Sequence, residues 1–200
     1  MIKQEISHRN NDDADKINTM TILSICIPTY NRVAHLRNCL NSFIQCGLSN
    51  LSGVQICISD NGSTDTTKQV VDEAGKVLTI KYRVNQSNIG LARNFLEVVQ
   101  MADGEFVWML GDDDLLMPGA CEKIIELIKK HSLVDYFYVN SNHLTIEYVQ
   151  SFLQPFELEN LPKAMERFSS RAESGELLFL ELIDPKISFD FLGGIFLSVF

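Results

Sequence analysis

The sequence predicts an α/β fold: a Rossmann-like, mostly parallel sheet with helices on both faces. Two observations carry that reading. Short apolar runs alternate with segments of helical periodicity from residue 21 to residue 140. The connections between them are a few residues long, as right-handed βαβ crossovers require. A third observation concerns function: the polar, chemistry-bearing residues bunch directly after the strands.

The elements follow in order. Ile22-Leu-Ser-Ile-Cys-Ile27 is an apolar run ending at Pro28, the pattern of a strand buried on both faces. Asn31 is placed to cap a helix in which Val33, Leu36, Leu40, Phe43 and Ile44 recur at helical spacing, and Gly47 ends it. Val54 to Ser59 is a second strand. Asp60-Asn-Gly62 is a turn, Ser63 or Thr64 a cap, and Thr66 to Ala74 a helix closed by Gly75. Val77 to Val84 is a third strand. Gly90 to Ala102 is a helix with Leu91, Phe95, Val98 and Val99 on one face. Glu105 to Leu110 is a fourth strand, Pro118 to His131 a helix, and Val134 to Asn140 a fifth strand. Past Asn140 the pattern weakens. His143 to Phe152 alternates as one or two strands, Pro155 to Gly175 is polar, Glu176 to Leu182 suits a short helix, and Ile187 to Phe200 is an apolar strand or pair. The division is therefore a polar leader at 1–19, an α/β half at 20–140, and the start of a further region at 141–200.

Composition excludes several classes. Seventeen Lys and Arg against 26 Asp and Glu leave a net charge of −9 among 200 residues. That balance argues against non-specific nucleic-acid binding and against a strongly basic membrane face. Hydrophobic residues at 46% supply a globular core. The five cysteines, Cys26, Cys39, Cys46, Cys57 and Cys121, have irregular spacing, and no Cys-x-x-Cys pair exists. They read as buried, reduced thiols of a cytoplasmic protein rather than a disulfide framework or zinc site. The leader has no apolar signal-peptide core, and no apolar stretch reaches the roughly 18 residues of a membrane span. Membrane contact is expected to be peripheral.

In open parallel sheets, ligands bind outside the carboxyl ends of the strands. The residues there are Pro28 to Arg32, Ser59 to Asp65, Asn85 to Gly90 leading to Arg93 and Asn94, and Gly111 to Asp114. The sharpest feature is Asp112-Asp113-Asp114. Adjacent carboxylates repel, more so at the end of a buried strand, and an oxygen-liganded divalent cation would relieve them. A solvated acidic turn is the alternative. Asp60 suits either a nucleobase edge or a self-bonded turn. Tyr30 is either a core-edge aromatic or a base-stacking ring. Arg93 opposes the helix dipole near a helix start, which suits a phosphate contact, or it forms a surface ion pair. Trp108 reads as core, and His8, His35, His131 and His143 show no ligand spacing. No Gly-x-Gly-x-x-Gly follows the first strand, and neither a P-loop nor a Gly-x-Ser-x-Gly elbow is present.

Four blocks together resemble glycosyltransferase family 2, the inverting sugar-nucleotide transferases of GT-A fold. They are Ser24 to Arg32 (SICIPTYNR), Ile58 to Asp65 (ISDNGSTD), Asn88 to Asn94 (NIGLARN), and Gly104 to Asp114 (GEFVWMLGDDD) followed by Pro118. The Pro-Thr-Tyr-Asn-Arg and Leu-Gly-Asp-Asp-Asp forms look like members that build bacterial surface polysaccharide, such as O-antigen. The resemblance implies donor-binding roles for Pro28, Tyr30, Arg32, Asp60, Arg93 and Asp112. It implies a metal site, for Mg²⁺ or Mn²⁺, at Asp113 and Asp114, in a DXD-like motif whose first Asp is Gly111. Strand alternation instead puts Asp112 and Asp114 on one side and Asp113 opposite; the resemblance favours Asp113 as the main ligand, and a turn begins there.

It further implies a nucleotide-sugar donor, a saccharide or lipid-linked saccharide acceptor, and peripheral contact at the inner membrane face. A carboxylate general base is expected near or beyond Phe200, so the acceptor part is expected to be incomplete. Asp190 is the nearby substitute, although its apolar neighbours suit a buried strand. Two other readings stay open: a nucleotide-sugar-binding piece without transfer activity, and a metal-dependent nucleotidyltransferase.

Overall fold

The computed structural model describes residues 20–143, together with Leu158, Glu166–Arg167, Gly175 and Ser198–Val199. The expectations for the leader, for 144–152, for most of 155–175, for the 176–182 helix and for Asp190 lie outside the described residues.

Four parallel strands form the body of the sheet: β1 (Leu23–Thr29), β2 (Val54–Asp60), β3 (Ile80–Val84) and β4 (Phe106–Met109). Two short strands extend it, β5 (Phe137–Tyr138) and β8 (Ser198–Val199), in the order β3-β2-β1-β4-β8-β5. β6 (Asn142–His143) and β7 (Glu166–Arg167) make a separate antiparallel pair. The helices are α1 (Val33–Gln45), α2 (Thr67–Ala74), α3 (Leu91–Val99) and α4 (Ala120–Lys130).

β1 lies between β2 and β4, and all seven of its residues are buried. A central strand covered on both faces has no side to show to water, which explains its mainly apolar run, in which Ser24 and Thr29 are polar and also buried. The alternation of side chains sorts the core into two layers. Leu23, Ile25 and Ile27 of β1, Ile56 and Ile58 of β2 and Trp108 of β4 join residues of α1, α2 and α4. Cys26, Cys57 and Met109 face the other way, onto Val98 of α3 and Met101. Helices thus cover both faces, and four of the five cysteines are buried.

Several boundaries differ from the sequence-based expectation. The third strand starts at Ile80, not Val77, because Val77 N and Leu78 N still bond Ala74 O and finish α2. The fourth helix starts at Ala120, after Gly119 at φ +80°. The fifth strand shrinks to Phe137–Tyr138 and does not lie beside β4. β8 runs antiparallel between the two, while the Phe106 and Phe137 rings still meet at 5.7 Å. Leu91 is not on the buried face of its helix; it is 70% exposed. Asn94 already meets Ser59, the residue before the end of β2, so the turn carrying Leu91 lies beyond the strand ends.

Candidate donor and metal site

The carboxyl ends of β1, β2, β3 and β4 lie along one edge of the sheet, and the loops that leave them are bonded into one surface. The loop after β1 is joined to the loop after β2. Asn31, in the left-handed region at φ 51°, donates its backbone N–H to Ser63 Oγ and accepts from Thr64 N with its side chain, both at 2.8 Å. Contrary to the expectation from sequence, Asn31 therefore does not cap α1, whose N-cap residue is Arg32. Nor do Ser63 and Thr64 cap α2.

Asp65 does both jobs. Its Oδ2 accepts from Val33 N at the start of α1, at 3.1 Å. Its Oδ1 accepts from Thr67 N and Thr67 Oγ1 at the start of α2, at 3.0 and 2.5 Å. One carboxylate thus meets open N–H groups of two helices and their dipoles. Burial acts to raise the Asp65 carboxyl pKa, but the hydrogen bonds from Thr67 and Val33 outweigh it and hold it below the ordinary range. Sequence reasoning missed this role. The signal available was an Asp directly before the Thr66-Thr67 helix start.

The loop after β2 is joined to the one after β3 through asparagines. Asn61 donates to Asn88 Oδ1 at 2.9 Å and accepts from Ile89 N at 2.9 Å. Asn94 accepts from Ser59 Oγ at 2.7 Å and returns a bond to Ser59 O at 2.9 Å. Gly62 lets these loops close: its φ is +80°, and a Cβ there would stand 3.1 Å from the Ser87 carbonyl carbon.

Asp60 ends β2 at 2% exposure. Its Oδ1 accepts from Ser63 N at 2.8 Å and its Oδ2 from Tyr82 Oη at 2.6 Å. Burial first, and then this bond to a carboxylate, push the Tyr82 phenol well above its usual range. A carboxylate has about four lone-pair positions, so each Asp60 oxygen retains accepting capacity. Tyr30 is 40% exposed at the rim. Arg93 is exposed in the first turn of α3. Pro28 is buried within β1, paired in register with Ser59.

The acidic triplet is resolved into three different environments. Asp112 is 4% exposed, and its Oδ2 accepts from Thr29 Oγ1 at 2.8 Å. Its Oδ1 lies 3.0 Å from Arg32 Nη1. Burial raises the Asp112 pKa above the ordinary range, against the opposing pull of Thr29 and Arg32. Asp113 is 51% exposed, and its Oδ2 meets Arg32 Nη2 at 2.6 Å. Asp114 turns back on its own loop and accepts from Gly111 N with Oδ2 at 2.6 Å. Burial, followed by its two acidic neighbours, pushes Asp114 up to about 6 against that backbone bond. Gly111 leaves room for the carboxylates of this turn: a Cβ there would stand 2.7 Å from Asp113 Oδ1 and 3.1 Å from Asp114 Oδ2, so those side chains would have to shift. Strand alternation holds for Asp112, which stays on the Thr29 side. It ends at the turn, where Asp113 emerges into solvent. Thr29, which secures Asp112, was not singled out from the sequence; a hydroxyl at the end of the strand beside the triplet was the available signal.

These residues suit a divalent cation in one particular way. Among the described residues, no three His, Cys, Asp or Glu side chains converge into a protein-only cage. Asp113 instead offers an exposed hard-oxygen ligand at the sheet edge. Mg²⁺ and similar ions are commonly held by one or two carboxylates plus substrate phosphates.

In a parallel α/β sheet ligands bind outside the carboxyl ends of the strands, the edge where these acidic and basic groups gather. The profile of the family described as "Glycosyl transferase family 2" matches residues 24–174, and the chain belongs to that family. It is 44% identical over 97 residues to the abequosyltransferase RfbV of Salmonella typhimurium, covering 48% of this chain and 29% of that protein. It is 36% identical over 109 residues to the GalNAc(5)-diNAcBac-PP-undecaprenol β-1,3-glucosyltransferase of Campylobacter jejuni, covering 54% of this chain and 34% of the relative. The match thus spans about a third of the length of these relatives. Residues 1–349 of S. aureus TarS, solved in complex with UDP-GlcNAc, superpose with a TM-score of 0.53 at 24% identity, over 59% of this chain and 34% of that one. That likeness shows the fold, which is GT-A. No helix among the described residues is long and apolar enough to cross a membrane.

Proposed function

We propose that this chain carries the donor-binding half of an inverting, metal-assisted glycosyltransferase. The donor is a nucleoside-diphosphate sugar, and the acceptor is a saccharide, lipid-linked, of a bacterial surface polysaccharide such as O-antigen. Family membership and the named activities of its relatives support transfer of a sugar. The structural observation that carries the reading is the Arg32–Asp112–Asp113 constellation at the carboxyl edge, with the Asp60 and Tyr30 loops bonded alongside.

In this reading Tyr30 stacks on the base and Asp60 accepts hydrogen bonds from its edge. Tyr82 and Ser63 hold the Asp60 carboxylate in place for that. Pro28 and Arg32 line the first donor loop, and Arg93 neutralises phosphate charge. Asp112, clamped by Thr29, orients Arg32 at the edge of the donor site. Asp113 would hold the cation, Mg²⁺ or Mn²⁺, with Asp114 shaping the turn and adding negative charge; when bound there it would supply Lewis-acid stabilisation of the departing diphosphate. The acceptor hydroxyl attacks the anomeric carbon from the face opposite the diphosphate and loses its proton to a carboxylate base. None of the described residues is assigned as that base. The transfer takes place at the inner membrane face, through peripheral contact.

Calorimetry with a panel of nucleoside diphosphates, with and without Mn²⁺, tests the donor half directly. One member of the panel should bind, more tightly with Mn²⁺, and Asp113→Ala should lose the Mn²⁺-dependent part. The assignment fails if none binds, or if Asp113→Ala binds as well as wild type in Mn²⁺.

A further inference from the structure

The guanidinium of Arg32 spans two carboxylates of the triplet. Nη1 lies 3.0 Å from Asp112 Oδ1, and Nη2 lies 2.6 Å from Asp113 Oδ2. It is the cation in both ion pairs described at the triplet, and its charge lies where a metal bound to Asp113 would also have to act. The remaining oxygens at the edge are partly committed: Asp112 Oδ2 to Thr29 and Asp114 Oδ2 to Gly111 N. A cation arriving alone therefore meets an Asp113 whose Oδ2 is already in a charge-assisted bond, and it must bind close to the positive charge of Arg32, which Asp112 also holds at the edge. A cation arriving with a diphosphate meets no such opposition. The phosphate oxygens complete its coordination and also offer Arg32 a bidentate anion to replace Asp113.

We infer that Arg32 is an internal counter-cation that makes metal and donor diphosphate bind interdependently, by occupying Asp113 until both arrive. The inference rests on the donor-site reading above and adds to it an order and a coupling. Arg32 is half-exposed and its neighbour Asp113 more so, which leaves the pair free to separate. Asp112 is buried and tied to Thr29, so it retains the guanidinium at the edge when Nη2 lets go. By linkage, the factor by which diphosphate tightens Mn²⁺ equals the factor by which Mn²⁺ tightens diphosphate.

The experiment titrates Mn²⁺ alone into the 200-residue chain, following loss of the free-ion electron paramagnetic resonance signal. It is then repeated with UDP, CDP, GDP and dTDP, each at saturation. Wild type should bind Mn²⁺ weakly alone and at least about fivefold more tightly with the productive nucleotide, the low end of ordinary coupling. Arg32→Ala and Arg32→Gln should bind Mn²⁺ alone at least about fivefold more tightly than wild type, with the nucleotide coupling correspondingly reduced. Arg32→Lys, which keeps the charge but loses the fork, should fall between. Thermal melts accompany each variant, and any variant that melts early is replaced in the comparison by another of the three. Equal Mn²⁺ affinity in wild type and Arg32 variants, with nucleotide coupling intact, overturns the inference and leaves the donor site standing. Failure of every nucleotide to bind wild type, with or without Mn²⁺, overturns both.

Discussion

At the scale of single residues, the three adjacent aspartates show how little identical chemistry says about role. Asp112 is buried and clamped, Asp113 is presented to solvent, and Asp114 is spent on its own turn. The shifts of the two buried carboxyls, Asp112 and Asp114, have a direct consequence for stability. Asp114 has a folded pKa of about 6 against an ordinary 3.8, raised mainly by burial. The folded state thus holds its proton more tightly than the unfolded chain does. That contribution to stability is fully present below the unfolded pKa and is lost as pH rises through about 6. Asp112 is shifted in the same direction. Urea unfolding in the presence of a chelator should therefore show Asp114→Asn gaining on wild type between pH 4 and about pH 6.5. A constant difference across that range would mean the Asp114 carboxyl is not buried as described.

At the scale of elements, the donor loops are held by one another more than by the helices they precede. The helix periodicity after Asn31 was legible because core residues such as Leu36, Leu40 and Phe43 must face the sheet. Its cap was not legible, because the capping carboxylate comes from a different loop, 32 residues later. Asp65 lies at the start of both α1 and α2, so Asp65→Ala should cost about 1–2 kcal/mol, the upper part of the range for a single cap. Asp65→Asn should cost less, since the amide oxygen still accepts. Denaturant unfolding at pH 7 measures both. Because the Asp65 pKa is depressed, its share of stability is present above the unfolded pKa and fades as the pH falls through the lower folded one. The wild-type advantage over Asp65→Ala should shrink accordingly in acid. An effect near zero at pH 7 would remove the shared cap from the account.

For the whole molecule, the sheet brings together groups far apart in sequence. Thr29 meets Asp112 across 83 residues and Arg32 meets Asp113 across 81. The site is therefore formed only in the folded chain, and its ligands must stabilise the fold by mass action. Mn²⁺ with the productive nucleoside diphosphate at about 100 times its Kd should add about 2.7 kcal/mol to unfolding stability. Asp113→Ala should lose most of that gain while keeping nearly the same stability without ligand, since Asp113 is half-exposed. Chemical unfolding with and without ligand checks both, and a nucleotide-independent response to Mn²⁺ would place the metal elsewhere.

The sequence by itself determined the alternation of strands and helices, the two-sided burial of the first strand, and the edge of the sheet where chemistry gathers. Those follow from local periodicity, and the chain order of a parallel sheet places every strand's carboxyl end on one side. The blocks from Ser24 to Asp114 also carried the family resemblance, which the comparison with known proteins bears out. The tertiary structure alone decided which partner each polar group takes. It set Arg32 across Asp112 and Asp113, gave Asp65 to two helices, bound the asparagine loops together, and placed β8 between β4 and β5. Periodicity records which side chains are buried; a hydrogen bond or ion pair between distant loops leaves no periodic trace, because it depends on where the sheet has carried each loop.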